Sequence, residues 1–273
     1  MTGAGAAGAE TTGAGMMPHA AGSLAGRRAI VTGGGTGVGE AIALELAARG
    51  ASVVVTGRRE GPIEAVAARH PMIDARVCDA TDVQGTRALV AEAAPDIVVA
   101  NAGIATSAPF ARTGADDLRK LFEVNVTGVH TLFAAALDAM GKGATGRLIA
   151  IASTAGLKGY PYVSAYCAAK HAVVGMIRAL ALELAAKEAT RGITVNAVCP
   201  GYTDTPMLRR TIEGIMDKTE RDRPTAEAPL LAHNPQARFV DPAEVADAVA
   251  WLAGDAARSI NGQAISVSGG ETM

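Results

Sequence analysis

Two side chains able to exchange a proton stand four residues apart, Tyr166 and Lys170. On a helix that spacing places a phenol and an ammonium on one face, one turn apart. Tyr-x-x-x-Lys is common by itself, so its company matters. Ser153 closes an apolar run, Ile149-Ala150-Ile151-Ala152-Ser153, with the pattern of a buried strand. Asn125 interrupts an otherwise apolar helical stretch, Val124-Asn125-Val126, and Asn101-Ala102-Gly103 closes another apolar run. The carboxyl ends of the strands of a parallel sheet line its ligand crevice, so these polar groups can converge on one site.

A second constellation lies upstream. After the first apolar run comes Thr32-Gly33-Gly34-Gly35-Thr36-Gly37-Val38-Gly39, followed by a helical stretch. Glycines let backbone N–H groups approach a pyrophosphate, and the start of a helix offers partial positive charge. The G-x-G-x-x-G spacing does not fit; T-G-x-x-x-G-x-G does. The next strand should end at Thr56-Gly57-Arg58-Arg59. A carboxylate there would bind the ribose 2′-hydroxyl of NAD, but two arginines occupy the place. A guanidinium pairs well with a 2′-phosphate. The expected cofactor is therefore NADP(H), with Arg58 as first choice and Arg59 as second, and NAD is the alternative. Asp79, in Cys78-Asp79-Ala80, is either an acceptor for the adenine amino group or a turn carboxylate.

These residues need elements to position them. Strand candidates are Ala29–Thr32, Val53–Thr56, Ala75–Cys78, Ile97–Ala100, Arg147–Ala152, Thr194–Val198 and Ala264–Val267. Helix candidates are Val38–Arg49, Pro62–Arg69, Val83–Ala93, Asp116–Met140, Ala165–Lys187 and Pro242–Leu252. The alternation implies βαβ units and an α/β fold, a doubly wound parallel sheet with helices on both faces. No repeat, charge block or Pro/Ser linker divides the chain, so residues 24–273 are expected to form a single domain. Residues 203–241 break the rhythm with four prolines and many charges. A connection that long is expected to be an active-site lid or disordered.

Composition narrows the function. With 25 Lys plus Arg against 27 Asp plus Glu, the net charge is −2, which gives no electrostatic footprint for nucleic acid. Cys78, Cys167 and Cys199 are too few and scattered for a disulfide framework, and no Cys or His spacing suits a metal. A reducing, cytoplasmic setting is expected. No apolar run approaches the ~20 residues a membrane helix needs. Residues 1–23 are mostly Gly, Ala and Thr and are expected to be a flexible tail without the features of a secretory signal.

Taken in order, Thr32-Gly33…Gly37…Gly39, Asn101-Ala102-Gly103, Asn125, Ser153, Tyr166…Lys170 and Pro200-Gly201 resemble the short-chain dehydrogenase/reductase family from Leu24 onward. The stretches around Ser153 and Ile193–Gly201 are similar to bacterial 3-oxoacyl and polyketide ketoreductases. The resemblance implies a Rossmann-like fold and a hydride transfer between a nicotinamide and a carbonyl or secondary alcohol. It implies Tyr166 as general acid for reduction, with its pKa, ordinarily about 10, lowered by Lys170. Lys170 would also hold the nicotinamide ribose, Ser153 the substrate oxygen, and Asn125 a water leading to solvent. Gly33, Thr36, Gly37, Val38 and Gly39 would cradle the diphosphate. Asp79, Ala80, Asn101, Ala102 and Gly103 would line the adenine and ribose side, and Pro200, Gly201 and Thr203 the nicotinamide. The family's tetrameric assembly is implied as well. Thr36 stands where many NADP-dependent members carry a basic residue, which leaves the cofactor choice on Arg58 and Arg59.

The sequence leaves the substrate open between a 3-oxoacyl thioester and a small cyclic or aromatic alcohol oxidised with NAD. A catalytically silent dinucleotide sensor is the rival of another class, against which the complete set Asn125, Ser153, Tyr166 and Lys170 argues. Tyr160 and Tyr162 are candidates for the substrate pocket or for loop packing. Arg209, Arg210, Lys218, Arg221 and Arg223 are interleaved with Glu213, Asp217, Glu220 and Asp222, as on a solvated helix face.

Overall fold

The computed structural model describes residues 23–272; the expected tail lies outside the described residues except for Ser23. Seven strands, β1 (Arg28–Thr32), β2 (Ser52–Gly57), β3 (Ile73–Val77), β4 (Ile97–Ala100), β5 (Arg147–Ile151), β6 (Thr194–Pro200) and β7 (Ala264–Val267), form one sheet in the order β3-β2-β1-β4-β5-β6-β7. Every pairing is parallel. The order reverses between β1 and β4, which opens a crevice at their carboxyl ends.

Helices cover both faces. On one lie α1 (Gly37–Ala48), α2 (Glu60–Ala67) and α9 (Pro242–Ala253). On the other lie α3 (Val83–Ala93), α5 (Gly128–Ala139) and α6 (Ser164–Ala185). The central strands feed both cores. Ile97 and Val99 of β4 join the first cluster, and Val98 and Ala100 join the second. Burial on both faces is why these strands read as continuous apolar runs rather than alternating ones.

The expected helix over 116–140 is broken. It divides into α4 (Ala115–Phe122), a π-helical turn Glu123–Thr127, and α5. The irregular turn centres on buried Asn125, whose side chain bonds the Ile104 backbone. Residues 203–241 are helical for the most part, as α7 (Pro206–Thr219) and α8 (Arg223–Leu231). Thr205 and Asp222 cap these helices, with a proline in the first turn of each. Leu208, Ile212 and Ala226 give the pair a small core of its own.

Among the described residues one helix, α6, is long and apolar enough by length and composition to cross a bilayer, although Lys170, His171, Arg178 and Glu183 interrupt its apolar residues. Here it is a core helix. Val173, Val174, Ile177, Ala181 and Leu184 pack against the sheet, and Lys170 is buried among them.

Candidate active site

The carboxyl ends of β1, β4, β5 and β6 carry the polar residues singled out above. At β1 the chain turns through Gly33 with φ +64° and Gly37 with φ +59°, conformations that disfavour a side chain. A Cβ on Gly39 would lie 2.3 Å from the Gly33 carbonyl oxygen, so the turn closes this tightly only with glycine there. Asn101 at the end of β4 secures it. Its Nδ2 donates to the Thr32 and Gly33 carbonyls at 3.0 and 3.1 Å. The backbone N–H groups of Asn101 and Ala102 donate to Thr32 Oγ1, each at 3.1 Å.

Helix α1 starts at this turn. Thr36 occupies its N-cap position but makes no side-chain cap hydrogen bond, which leaves first-turn N–H groups open to an anion. Thr205 and Pro206, at the head of α7, lie against Gly37 from above. Arg58 and Arg59 emerge exposed at the end of β2 and have no ion-pair or hydrogen-bond partner among the described residues. A tight glycine cradle, an uncapped helix start and two free guanidinium groups fit a dinucleotide carrying an extra phosphate. Asp79 Oδ1 accepts from Thr81 N and Oγ1 at 3.0 and 2.9 Å, as a turn carboxylate does. The Ala80 carbonyl faces Gly128 at the head of α5.

The second half of the site forms around α6. Ser153 caps the 3₁₀ turn Thr154–Gly156, and its Oγ accepts from Ala155 N at 3.1 Å. Gly156 lets that turn press on α6, since a Cβ there would sit 2.7 Å from the Lys170 carbonyl oxygen. The contact brings the Ser153 hydroxyl near the Tyr166 phenol, whose pKa it lowers. Lys170 Nζ donates to the Ile151 carbonyl at 2.8 Å and lies 5.7 Å from the centre of the Tyr166 ring. Asn125 Oδ1 accepts from Ile104 N, and its Nδ2 donates to Ile104 O, both at 2.9 Å. A Cβ on Gly103 would meet Asn125 Oδ1 at 2.8 Å and Lys170 Nζ at 3.8 Å, so these three residues are neighbours.

Burial dominates the protonation of the pair. It pushes the Tyr166 phenol up to about 12, against a lowering from the nearby Ser153 hydroxyl. It brings the Lys170 ammonium down to about 8. The expected lowering of the phenol by Lys170 is not met in this arrangement, where desolvation of the phenolate dominates. A phenol that keeps its proton is suited to donating it to an oxygen.

β6 ends at Pro200, and Thr203 Oγ1 donates to the Gly201 carbonyl at 3.0 Å. Tyr160 is partly buried, in ring contact with Tyr202 and His233, whereas Tyr162 is 64 % exposed. In 203–241, Arg209 pairs with Asp204 and Arg223 with Glu227, as expected of a solvated face. His171 Nδ1 lies 2.8 Å from the Cys167 carbonyl one turn back, a packing role. The sequence reading missed Lys158, His233 and Glu271, which gather beside Tyr160. No local pattern marks them, since they come from three distant segments.

Residues 27–215 match the family model described as short chain dehydrogenase. A ketoacyl reductase of Streptomyces coelicolor, so named provisionally, is 37 % identical over 89 % of this chain and 95 % of its own length. A 3-oxoacyl-(acyl-carrier-protein) reductase of Rickettsia conorii is 33 % identical over 92 % of this chain and 98 % of its own. Among solved structures, a variant of the actinorhodin polyketide ketoreductase with NADPH superposes with a TM-score of 0.83 at 36 % identity, covering 92 % of this chain and 98 % of that one.

Proposed function

The chain belongs to the short-chain dehydrogenase family, and on that premise we propose that it is an NADP(H)-dependent ketoreductase acting on a 3-oxoacyl-type substrate. The observation that carries the reading is the packing of the Ser153 turn on α6 through Gly156, beside Tyr166 and Lys170 one helical turn apart, at the carboxyl end of the sheet that also holds the glycine cradle. The relatives named as ketoacyl and 3-oxoacyl reductases support the substrate class. The solved relative's NADPH supports the cofactor, as do Arg58 and Arg59, unpartnered among the described residues.

The nicotinamide, when bound, supplies the hydride. The chain's own residues do the rest. Ser153 holds the substrate carbonyl oxygen beside the phenol, a preorganised hydrogen bond at the point where negative charge develops. Tyr166 gives its proton to that oxygen. Its raised pKa keeps the proton in place until the oxygen becomes basic enough to take it. Lys170, next to Gly103 and Asn125, holds the ribose hydroxyls and supplies positive charge as the phenolate forms. Asn125 supports the Ile104 backbone and the irregular turn through which a water returns the proton. Gly33, Thr36, Gly37, Val38 and Gly39 hold the diphosphate, and Arg58, then Arg59, the 2′-phosphate. Asp79, Ala80, Asn101, Ala102 and Gly103 lie on the adenine and ribose side. Pro200, Gly201 and Thr203 face the nicotinamide.

The same reading places the protein in the cytoplasm as a homotetramer. Three free thiols support the first, and the 76 % exposed Leu182 on α6 supports an apolar contact between copies. The test of function is NADPH consumption with acetoacetyl-CoA, then with simple cyclic and aromatic ketones, with NADH in parallel. Ketone-dependent oxidation favouring NADPH is expected. No turnover with any ketone, or a preference for NADH, would overturn the reading.

A further inference from the structure

We propose that Glu271, in the C-terminal tail, is a positioning residue of this active site, acting through Tyr160 and Thr154 on the loop that carries Ser153. The inference rests on the ketoreductase reading for its kinetic consequence but not for its structural one.

The tail after β7 turns back through Gly269 and Gly270, with φ of +63° and +94°. A Cβ on Gly269 would lie 2.0 Å from Asn234 Oδ1, so the turn is seated against the end of the α7–α8 segment. The turn delivers the Glu271 side chain into the protein, where it is 1 % exposed. Its Oε1 accepts a hydrogen bond from the Tyr160 hydroxyl. Tyr160 Oη also lies 2.7 Å from Thr154 Oγ1. A phenol has one proton and a carboxylate can only accept. The Tyr160 proton therefore goes to Glu271, and the Thr154 hydroxyl donates to Tyr160. Thr154 is buried and adjoins Ser153 in the turn that presses on α6.

Lys158 and His233 flank the carboxylate. Lys158 Nζ is 3.3 Å from Oε1, donates to the Glu271 carbonyl at 3.3 Å, and sits 5.0 Å from the centre of the Tyr160 ring. His233 Nδ1 lies 3.8 Å from Oε1, and its ring packs on Tyr160 and Tyr202. Oε2 is buried without a hydrogen-bond partner among the described residues, against Gly201. A buried carboxylate with one orphan oxygen is a poor device for stability, since an apolar side chain of similar size would anchor a tail at lower cost. What the carboxylate adds is direction. It orients one phenol, which orients one threonine beside the serine of the site.

The test compares full-length wild type, E271A, E271Q, Y160F and Y160F/E271A, with acetoacetyl-CoA and NADPH as probes. In E271A, kcat should fall about tenfold or more, while KM for NADPH stays within about twofold. The double variant should lose no more than the worse single one, because both changes cut the same chain of bonds. E271Q keeps an acceptor for the phenol and should retain more activity than E271A. Hydrogen exchange at the amides of residues 155–158, which bond back to Ser153 and Thr154, should quicken in E271A. Wild-type kcat in E271A, losses that multiply in the double variant, or unchanged exchange would each overturn the proposal. Should wild type itself leave NADPH unoxidised, the ketoreductase reading fails, and the exchange comparison still decides whether Glu271 holds the loop. If E271A does not fold, Y160F, which cuts the same chain of bonds, carries the same kcat and exchange comparison.

Discussion

Lys170 Nζ lies 5.7 Å from the centre of the Tyr166 ring and donates its hydrogen bond to the Ile151 carbonyl rather than to the phenol. The two groups share one stripe of α6, Lys170 buried and Tyr166 half-buried, and desolvation moves each toward its neutral form. The phenol rises to about 12 and the ammonium falls to about 8. The site is thus set to hold a proton on tyrosine and to accept new negative charge, which suits reduction of a carbonyl.

The lysine should leave a signature in stability. Its pKa is lower in the folded protein than its ordinary 10.5, so the folded state binds fewer protons between about 8 and 10.5. Its contribution is fully present above 10.5 and is lost as pH falls through about 8. Across that window the wild type should gain stability with rising pH relative to K170M, which lacks the titrating group. Urea midpoints of both proteins at several pH values measure this. Parallel curves would show that Lys170 is not desolvated as described.

The free arginines should decide the cofactor. Arg58 and Arg59 are exposed and unpartnered among the described residues, so they are available to a 2′-phosphate. Removing both forfeits charge-assisted bonds of about 1.5–3 kcal/mol each. In R58A/R59A, kcat/KM for NADPH should fall by about two to four powers of ten, with little change for NADH. Arg58 alone should account for most of the loss. A double variant that still prefers NADPH would place the phosphate elsewhere.

The glycine cradle offers a steric test. Gly39→Ala would put a methyl 2.3 Å from the Gly33 carbonyl oxygen and 2.4 Å from Asn101 Nδ2. Either the turn opens or Asn101 lets go of it. The cost should be about 1–3 kcal/mol of stability, together with a large loss of NADPH affinity. Thermal unfolding and NADPH fluorescence titration report the two effects separately. Wild-type affinity in this variant would mean that the diphosphate does not depend on the closed turn.

Most of this architecture was legible because its signals are local. β4 and β7 have the limits expected from their apolar runs, and α3 spans the residues expected from its periodicity. The Asn125 helix was read as continuous because a π-helical turn keeps apolar residues on both sides, and only the bond to Ile104 breaks the regular pattern. The helices in 203–241 were obscured by prolines, which read as breakers although Pro206 and Pro224 stand where a helix begins and needs no N–H donor. The placement of Ser153, Tyr166 and Lys170 was foreseeable, since all three lie where a strand ends or a helix starts. The Glu271 cluster was not, because its members are joined only by tertiary packing and by a tail that turns back on two glycines.

The central claim is that the Tyr166 phenol is the proton donor beside a nicotinamide held on the glycine turn. Tyr166→Phe removes one oxygen and leaves the helix, Ser153 and the cradle in place. The measurement is NADPH affinity and ketone-dependent turnover on the same preparation. NADPH should bind as it does to wild type, with turnover reduced by about 10²–10⁴-fold. Turnover within a few fold of wild type, at unchanged affinity, would contradict it.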